Sequence, residues 1–271
     1  MRLRPSLIFA LALLSGVAAP ASAAGDLLVA PTRVVLDGAR GTEVILNNID
    51  SETATYRISL ELRRMKPDGT LEDIAPEAAN AVEAKALAMI SYAPRRVVLA
   101  PNQPQSIRIG VRAPAELPDG EYRVHMLFRA IPASRPVVAV PTEQAGVSIA
   151  LTPIYGVTIP VIIRKGSLKA IAAISDAHIE RSDGTPELTL SISRTGERST
   201  YGRIRVLKAG VSKPVFEAKG IAVYPEVERR AVHIPIDDEI AAAMKGAVTI
   251  QYLEEIEAGG RMLAETQTVI R

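Results

Sequence analysis

The chain has 271 residues, of which 32 are Lys or Arg, 30 are Asp or Glu and none is Cys. The absence of cysteine excludes disulfide bonds, thiolate metal sites and a cysteine nucleophile. The charges nearly balance, so the chain lacks the excess of positive charge with which a non-specific nucleic-acid binder displaces counterions. We therefore expect no nucleic-acid partner.

The first two dozen residues have the three-part pattern of a secretory signal peptide. Arg2 and Arg4 supply positive charge, residues 7–14 form a short apolar run, and residues 21–23 are small. The apolar run is too short to cross about 30 Å of hydrocarbon, so no membrane anchor is expected. We expect cleavage to remove residues 1–24 and the mature protein to be exported, with 30 basic and 30 acidic residues because two arginines are lost.

Short runs rich in Val, Ile, Leu and Tyr recur between turn residues along the mature chain, as in all-β proteins. Seven strands are predicted in its first half, at residues 33–36, 43–47, 56–64, 96–99, 106–112, 122–130 and 146–163. Turn sequences such as Pro67-Asp68-Gly69 separate them. Residues 76–89 depart from the pattern and predict a short helix or a loop. Seven short strands fit an immunoglobulin-like sandwich over residues 25–165.

The strand pattern restarts in the second half of the chain. Strands are predicted at residues 168–174, 188–193, 202–208, 215–224, 231–236, 248–253 and 263–270. They fit a second sandwich over residues 166–271, so the predicted fold class is all-β, with two immunoglobulin-like β-sandwich domains in tandem. Residues 237–239 are acidic and precede a short apolar run that stops at Gly246. We expect them to cap a short helix and not to bind a metal, which needs more converging oxygen ligands.

No residue pattern in the sequence predicts catalysis. The histidines His125, His178 and His233 lie far apart in the chain, each in or beside an apolar strand, and are interpreted as sheet-edge or surface residues. No nucleophile elbow, phosphate-binding glycine loop or His-Glu-x-x-His pair occurs, and Gly259-Gly260 is predicted to form a hairpin turn. We therefore expect a protein that is not an enzyme and has no cofactor and no metal site.

Two segments of the first domain have residue patterns that the fold alone does not require. In the segment PTRVVLDG, Arg33 interrupts an apolar edge strand. In the segment VSIALT, apolar and small residues alternate. The side chains of Val147, Ile149 and Leu151 therefore share one face of a strand.

These segments belong to a longer series of motifs. The series also contains YAP at residues 92–94, LAP at 99–101, SIRI at 106–109 and EYRVHMLFRAIP at 121–132. In order and spacing it resembles the N-terminal domain of PapD-type periplasmic chaperones of pilus and fimbrial assembly, over residues 26–163. The second domain matches only by its position. The resemblance implies a periplasmic protein that lends a strand to a pilin-like subunit, caps it and delivers it to an outer-membrane assembly platform.

The resemblance also implies roles for individual residues. Val147, Ile149 and Leu151 would enter the groove of the subunit, and Arg33 would bind the subunit's C-terminal carboxylate. An arginine suits this task because its planar guanidinium donates two charge-assisted hydrogen bonds to one carboxylate. The family pairs this arginine with a lysine, and Gly156 stands at the position of that lysine here.

The same residues also fit simpler interpretations. The alternating run fits an ordinary core strand, and Arg33 fits a surface arginine paired with Glu43 or Asp37. On these interpretations the protein is an exported structural or adhesin-associated β-sandwich module with no chaperone role. A strand that is lent to a client is an aggregation hazard in the free protein, so the chaperone interpretation predicts a reversible, self-capping homodimer.

Overall fold

A computed structural model describes residues 27–38, 40–132, 154–256 and 259–271. These residues form two β-sandwiches in chain order, each with its own cluster of buried apolar side chains. The predicted fold class, all-β with two immunoglobulin-like sandwiches in tandem, is confirmed. Within the described ranges, no helix has the length and apolar character needed to cross a membrane. The exact domain boundary between residues 165 and 166 stays a prediction.

The first sandwich is built from two sheets. Its strands are β1 (Leu27–Ala30), β2 (Val34–Leu36), β3 (Thr42–Asn48), β4 (Ala54–Met65), β5 (Leu71–Ile74), β6 (Ile90–Ala93), β7 (Arg96–Leu99), β8 (Pro104–Val111), β9 (Gly120–Ile131) and β10 (Gly156–Lys165). One sheet has the strand order β1-β3-β8-β6, and the other has the order β2-β10-β9-β4-β5 with β7 also paired to β4. In the larger sheet, β10 runs antiparallel to β9 and parallel to β2.

Strand β9 is buried on both of its faces. Val124, Met126 and Phe128 point into the core of the first sandwich. Glu121 and His125 point to the opposite face, because successive side chains of a strand alternate, and they are buried as well. The second sandwich covers that face. The candidate functional site lies at the edge of this contact between the two sandwiches.

The segment that predicted a helix or a loop contains a helix. A 3₁₀ turn at Pro76–Ala78 is followed by α1 at Ala81–Met89. Asn80 caps α1 by accepting a hydrogen bond from the backbone N–H of Glu83, whose carboxylate accepts one from the Asn80 backbone N–H in return. The Glu83 carboxylate also pairs with Arg64 of β4 at 2.6 Å, which attaches the start of α1 to the larger sheet.

The second sandwich is also built from two sheets. Its strands are β11 (Ala170–Ser182), β12 (Thr185–Gly196), β13 (Thr200–Leu207), β14 (Phe216–Val223), β15 (Arg229–Pro235), β16 (Gly246–Glu254) and β17 (Met262–Ile270), with α2 at Asp238–Met244. One sheet has the strand order β11-β12-β15, and the other has the order β14-β13-β16-β17.

The short helix and the glycine turn of the second sandwich lie where the sequence predicts them. The Asp237 side chain caps α2 by accepting a hydrogen bond from the Ile240 backbone N–H at 2.8 Å, so the predicted capping role is confirmed for this residue. Gly246 follows the helix with a φ of 97°, a conformation that favours glycine. Gly259 and Gly260 lie between the antiparallel strands β16 and β17.

The predicted strands that fall within the described residues are confirmed, with ends that differ by a few residues except where β11 runs on to Ser182. The strand predicted at residues 146–163 is confirmed only from Gly156 onward, because residues 154 and 155 are described and lie outside any strand. The sequence does not predict β1, β5 and β6. Each of these strands has four residues and lies at the edge of its sheet. A short edge strand buries few side chains, so its sequence shows little of the alternation that identifies longer strands.

Three arginines stand side by side on the exposed face of the larger sheet. Arg57 of β4 is the register partner of Arg96 on β7 and of Arg129 on β9, and all three residues are exposed. Like charges directly opposite each other on neighbouring strands are destabilising. We therefore expect that removing the charge of Arg57, at the centre of this row, stabilises the fold.

We predict that Arg57→Gln raises the free energy of unfolding by about 0.5 kcal/mol at low ionic strength, and by less in high salt. Urea unfolding at two salt concentrations measures the change. Arg108→Gln is the matched control and is expected to lower stability, because the register partner of Arg108 is Glu43. An Arg57→Gln variant less stable than the natural protein at low salt contradicts the prediction.

Candidate functional site

Arg33 precedes β2 directly and reaches from the first sandwich to the second. The next residue, Val34, pairs with Val161, which places Arg33 beside the middle of β10. The Arg33 guanidinium donates a hydrogen bond to Ser199 Oγ at 3.1 Å and lies 4.4 Å from the centre of the Tyr201 ring. The side chain is half-buried. Arg33 therefore contacts the second sandwich through a hydroxyl group and an aromatic ring.

A buried carboxylate, that of Glu121 on β9, joins the two sandwiches. Its Oε2 atom accepts hydrogen bonds from the Ser199 backbone N–H at 3.0 Å and from the Ser199 hydroxyl at 2.9 Å. Arg164 of β10 donates its Nε–H to the same oxygen at 2.9 Å. The Glu121 side chain is 1% exposed, so water does little to weaken these charge-assisted hydrogen bonds.

A second set of contacts lies beside the first. Arg123 of β9 pairs with Glu226 and places its guanidinium 3.6 Å from the centre of the Tyr224 ring. The Glu226 carboxylate also accepts a hydrogen bond from the Met65 backbone N–H at 2.7 Å. The side chains of Met65 and Ile162 pack into the apolar cluster of the second sandwich. Polar and apolar contacts together hold the two sandwiches against each other.

An open cleft of about 840 Å³ adjoins these contacts between the sandwiches. Its charged lining residues are Arg33, Arg164, Arg198, Lys219, Glu254 and Glu255. Arg164 and Arg198 each pair with a buried glutamate at 2.9 Å. Among the residues that the structure describes, Arg33 and Lys219 form no ion pair. An anion that enters the cleft therefore meets two cations that are not already paired with a described carboxylate, and also the carboxylate of Glu255, which likewise has no ion pair among the described residues.

Lys219 lines the cleft at a β-bulge in β14. The pairing of β14 with β13 shifts between Gly202 and Ile204, so that Lys219 and Gly220 stand opposite the single residue Arg203. Gly220 has a φ of 79°, which favours glycine. Bulges change the direction of side chains. The sequence analysis did not identify Lys219. The signal that could have located it is Gly220, a glycine inside a predicted strand, which suggests a bulge.

Gly156, the position at which the resemblance places the missing lysine, is far from Arg33. Gly156 is the first residue of β10 and pairs with Arg129. Continuing the β2–β10 register places Arg33 beside Pro160, and four residues of strand span about 13 Å. A Cβ atom at Gly156 would also lie 2.9 Å from Leu127. A lysine at this position would therefore not complete a cation pair with Arg33.

The other predicted site residues fall outside the described part of the chain. Val147, Ile149 and Leu151, the predicted subunit-groove strand, lie there, as does the predicted signal peptide at residues 1–24. The described chain resumes at residue 154, directly before β10. The roles of these residues stay predictions.

Neither the protein-family models nor the curated proteins include a match to this chain. Solved structures with a similar fold do exist, and their descriptions name chaperones. The YadV chaperone is 12% identical, and the match covers 90% of this chain and 99% of that one, with a TM-score of 0.47.

Two further matches have similar values. The CsuC chaperone, solved with the tip subunit CsuE from the Csu pili of Acinetobacter baumannii, is 13% identical over 90% of this chain and 98% of that one, with a TM-score of 0.45. The Pseudomonas aeruginosa CupB2 chaperone is 14% identical over 90% of this chain and 100% of that one, with a TM-score of 0.45. These matches describe a likeness of fold.

His125 is a buried histidine at the interface between the sandwiches, so its interpretation as a sheet-edge or surface residue is wrong. It is 2% exposed, its ring meets the Tyr224 ring edge-on, and neither ring nitrogen has a hydrogen-bond partner among the described residues. Burial, with the positive charges of Arg123, Arg63 and Arg33, lowers the pKa of His125 to about 3. The imidazole is therefore neutral in the folded protein near neutral pH.

We predict that His125 lowers stability in mild acid. Below the ordinary histidine pKa of about 6.5 the unfolded chain binds a proton that the folded protein does not bind until about pH 3, so stability falls as pH falls through this window. In His125→Leu, which removes the group, stability relative to the natural protein should rise by about 2 kcal/mol between pH 7 and pH 5.

Urea unfolding at pH 7, 6 and 5 measures this difference. His178→Leu serves as the control for loss of an exposed imidazole. If the difference between His125→Leu and the natural protein is the same at all three pH values, His125 does not titrate as described.

Proposed function

We propose that the protein is a periplasmic chaperone that binds pilin-like subunits of pili or fimbriae. In this proposal the chain lends the strand of Val147, Ile149 and Leu151 to the incomplete sheet of a subunit. The interdomain cleft, at Arg33, holds the subunit's C-terminal carboxylate. The bound subunit is then capped until it is delivered to an outer-membrane assembly platform.

The observation that carries the proposal is the pair of cations, Arg33 and Lys219, that face one open cleft without a described carboxylate partner. A carboxylate that leaves water needs charged or hydrogen-bonding partners to offset the loss of its hydration. Arg33 offers a planar fork of N–H donors and Lys219 offers a mobile ammonium group. The contacts of Arg33 with Ser199 and Tyr201 hold its guanidinium in place before a ligand binds.

The proposed lending strand precedes β10 in the chain, and Arg33 stands beside Pro160 of β10. Leu151 precedes Pro160 by nine residues, which can span at most about 30 Å. A subunit strand whose carboxylate is bound at Arg33 would thus have its register set relative to the three aliphatic side chains. Each aliphatic side chain contributes about 1.5–3 kcal/mol of gross burial free energy, before the costs of association.

The proposal includes self-association of the free protein. A strand with an exposed alternating apolar face would be covered by a second copy of the chain until a subunit displaces it. The competing hypothesis is an exported structural or adhesin-associated module. In that module the same residues would form an ordinary core strand and bind no subunit.

We predict that the double variant Ile149→Asp with Leu151→Asp no longer captures a small pilin-like protein from periplasmic extract, whereas the natural protein does. The reason is that two carboxylates would have to enter an apolar groove without partners. Mass spectrometry of the captured proteins gives the result. Ser148→Asp with Ala150→Asp is the matched control, because it adds the same charge to the opposite face of the same segment.

The comparison also distinguishes the two hypotheses. Loss of the subunit in the first variant alone supports strand lending by the predicted face. If both variants retain every partner of the natural protein, or if none of the three proteins captures a subunit, the structural-module hypothesis is favoured.

We further predict that Arg33→Gln and Lys219→Glu each weaken binding of the captured subunit about tenfold or more, since each removes a charge-assisted contact to the carboxylate. Titration calorimetry with the purified subunit measures the dissociation constants. Lys213→Glu is the matched control, because Lys213 is exposed in the connection before β14 and does not line the cleft. Equal affinity of the Arg33→Gln, Lys219→Glu and natural proteins would exclude carboxylate binding in the cleft.

A further inference from the structure

Two histidines that are distant in sequence meet on the second sandwich. Thr189 of β12 is the register partner of His178 on β11 and also of His233 on β15. Both histidines are exposed, as predicted from the sequence. They therefore flank Thr189 on one face of the three-stranded sheet, on either side of its central strand.

Two glutamates complete this group. Glu180 follows His178 by two residues on β11, and Glu187 precedes Thr189 by two residues on β12, so the alternation of the strands brings both to the same face. The group, called the histidine patch below, consists of His178, Glu180, Glu187 and His233. It combines two imidazoles with two carboxylates.

The distances among three members of the histidine patch, Glu180, Glu187 and His233, approach those between the ligands of one metal ion. His233 Nδ1 lies 3.3 Å from Glu180 Oε1 and 3.8 Å from Glu187 Oε2. One oxygen of each glutamate and one nitrogen of His233 all lie within 4.8 Å of one another. In a tetrahedral zinc site with bonds of about 2.0–2.1 Å, neighbouring donor atoms are about 3.3 Å apart. Small side-chain movements would bring the three atoms to that geometry.

His178 lies beside this group of three and would have to turn its ring towards the group to supply a fourth ligand. Its Nε2 atom lies 3.8 Å from Glu180 Oε2 on the same exposed face. The Thr189 hydroxyl donates a hydrogen bond to Glu180 Oε1 at 2.8 Å and so orients that carboxylate.

We propose that the histidine patch binds Zn²⁺, with two imidazole nitrogens and two carboxylate oxygens as ligands. This ligand set favours zinc over calcium and magnesium, which prefer oxygen ligands alone. The ion connects β11 to β15 across β12, so it stabilises the three-stranded sheet. The site lies outside the interdomain cleft and goes beyond the proposed function, which does not depend on it.

Titration calorimetry tests the proposal with the mature chain, produced without a histidine tag, and zinc chloride at pH 7.5. We expect one zinc ion per chain and a higher melting temperature in its presence. His233→Ala and Glu187→Gln should each weaken binding about tenfold or more, and Thr189→Val should weaken it less, because Thr189 only orients a ligand. Lowering the pH to 5.5 should also weaken binding, because protons compete for the imidazoles.

Glu217→Gln is the matched control, since it removes an exposed carboxylate from the other sheet of the second sandwich. All of these positions are exposed or half-buried, so the variants are expected to fold, which circular dichroism checks. No saturable zinc binding by the natural chain overturns the proposal. The proposal is also overturned if the His233→Ala and Glu187→Gln variants bind zinc as strongly as the Glu217→Gln control.

Discussion

The interaction on which the rest of the structure depends is the buried carboxylate of Glu121 between the two sandwiches. It accepts hydrogen bonds from the backbone and the hydroxyl of Ser199 in the second sandwich and from Arg164 in the first. A buried ion pair adds little net stability, because desolvation offsets much of the attraction. Removing Arg164 would leave the buried Glu121 carboxylate with Ser199 as its described hydrogen-bond partner, so the pair favours the arrangement in which the two sandwiches meet here.

This geometry determines which charged side chains of the cleft have an ion-pair partner. Glu121 neutralises Arg164, and a second buried glutamate, Glu254, neutralises Arg198 at 2.9 Å. Arg33 and Lys219 come from different sandwiches and line the same cleft only because the interface fixes those sandwiches relative to each other. A ligand carboxylate would thus contact both Arg33 and Lys219 only when the two sandwiches have this relative arrangement. Its position would determine which residues of β10 face the bound chain.

The sequence predicted the long strands and both sandwiches, because burial of one or both faces leaves an alternating or continuous apolar pattern. It could not predict features that depend on packing between distant segments. His125 looks like a surface residue until the second sandwich covers it. Lys219 needs a bulge to reach the cleft, and the two exposed histidines converge through the register of three strands, which local sequence does not encode.

The most direct test of the account is backbone amide hydrogen exchange of residues 146–152, measured in the protein alone at low concentration and in complex with a captured subunit. The account predicts that these amides gain protection on binding, because the lent strand pairs with the subunit's sheet. Unchanged exchange in this segment, with protection appearing elsewhere on the surface, would contradict strand lending as the mode of binding.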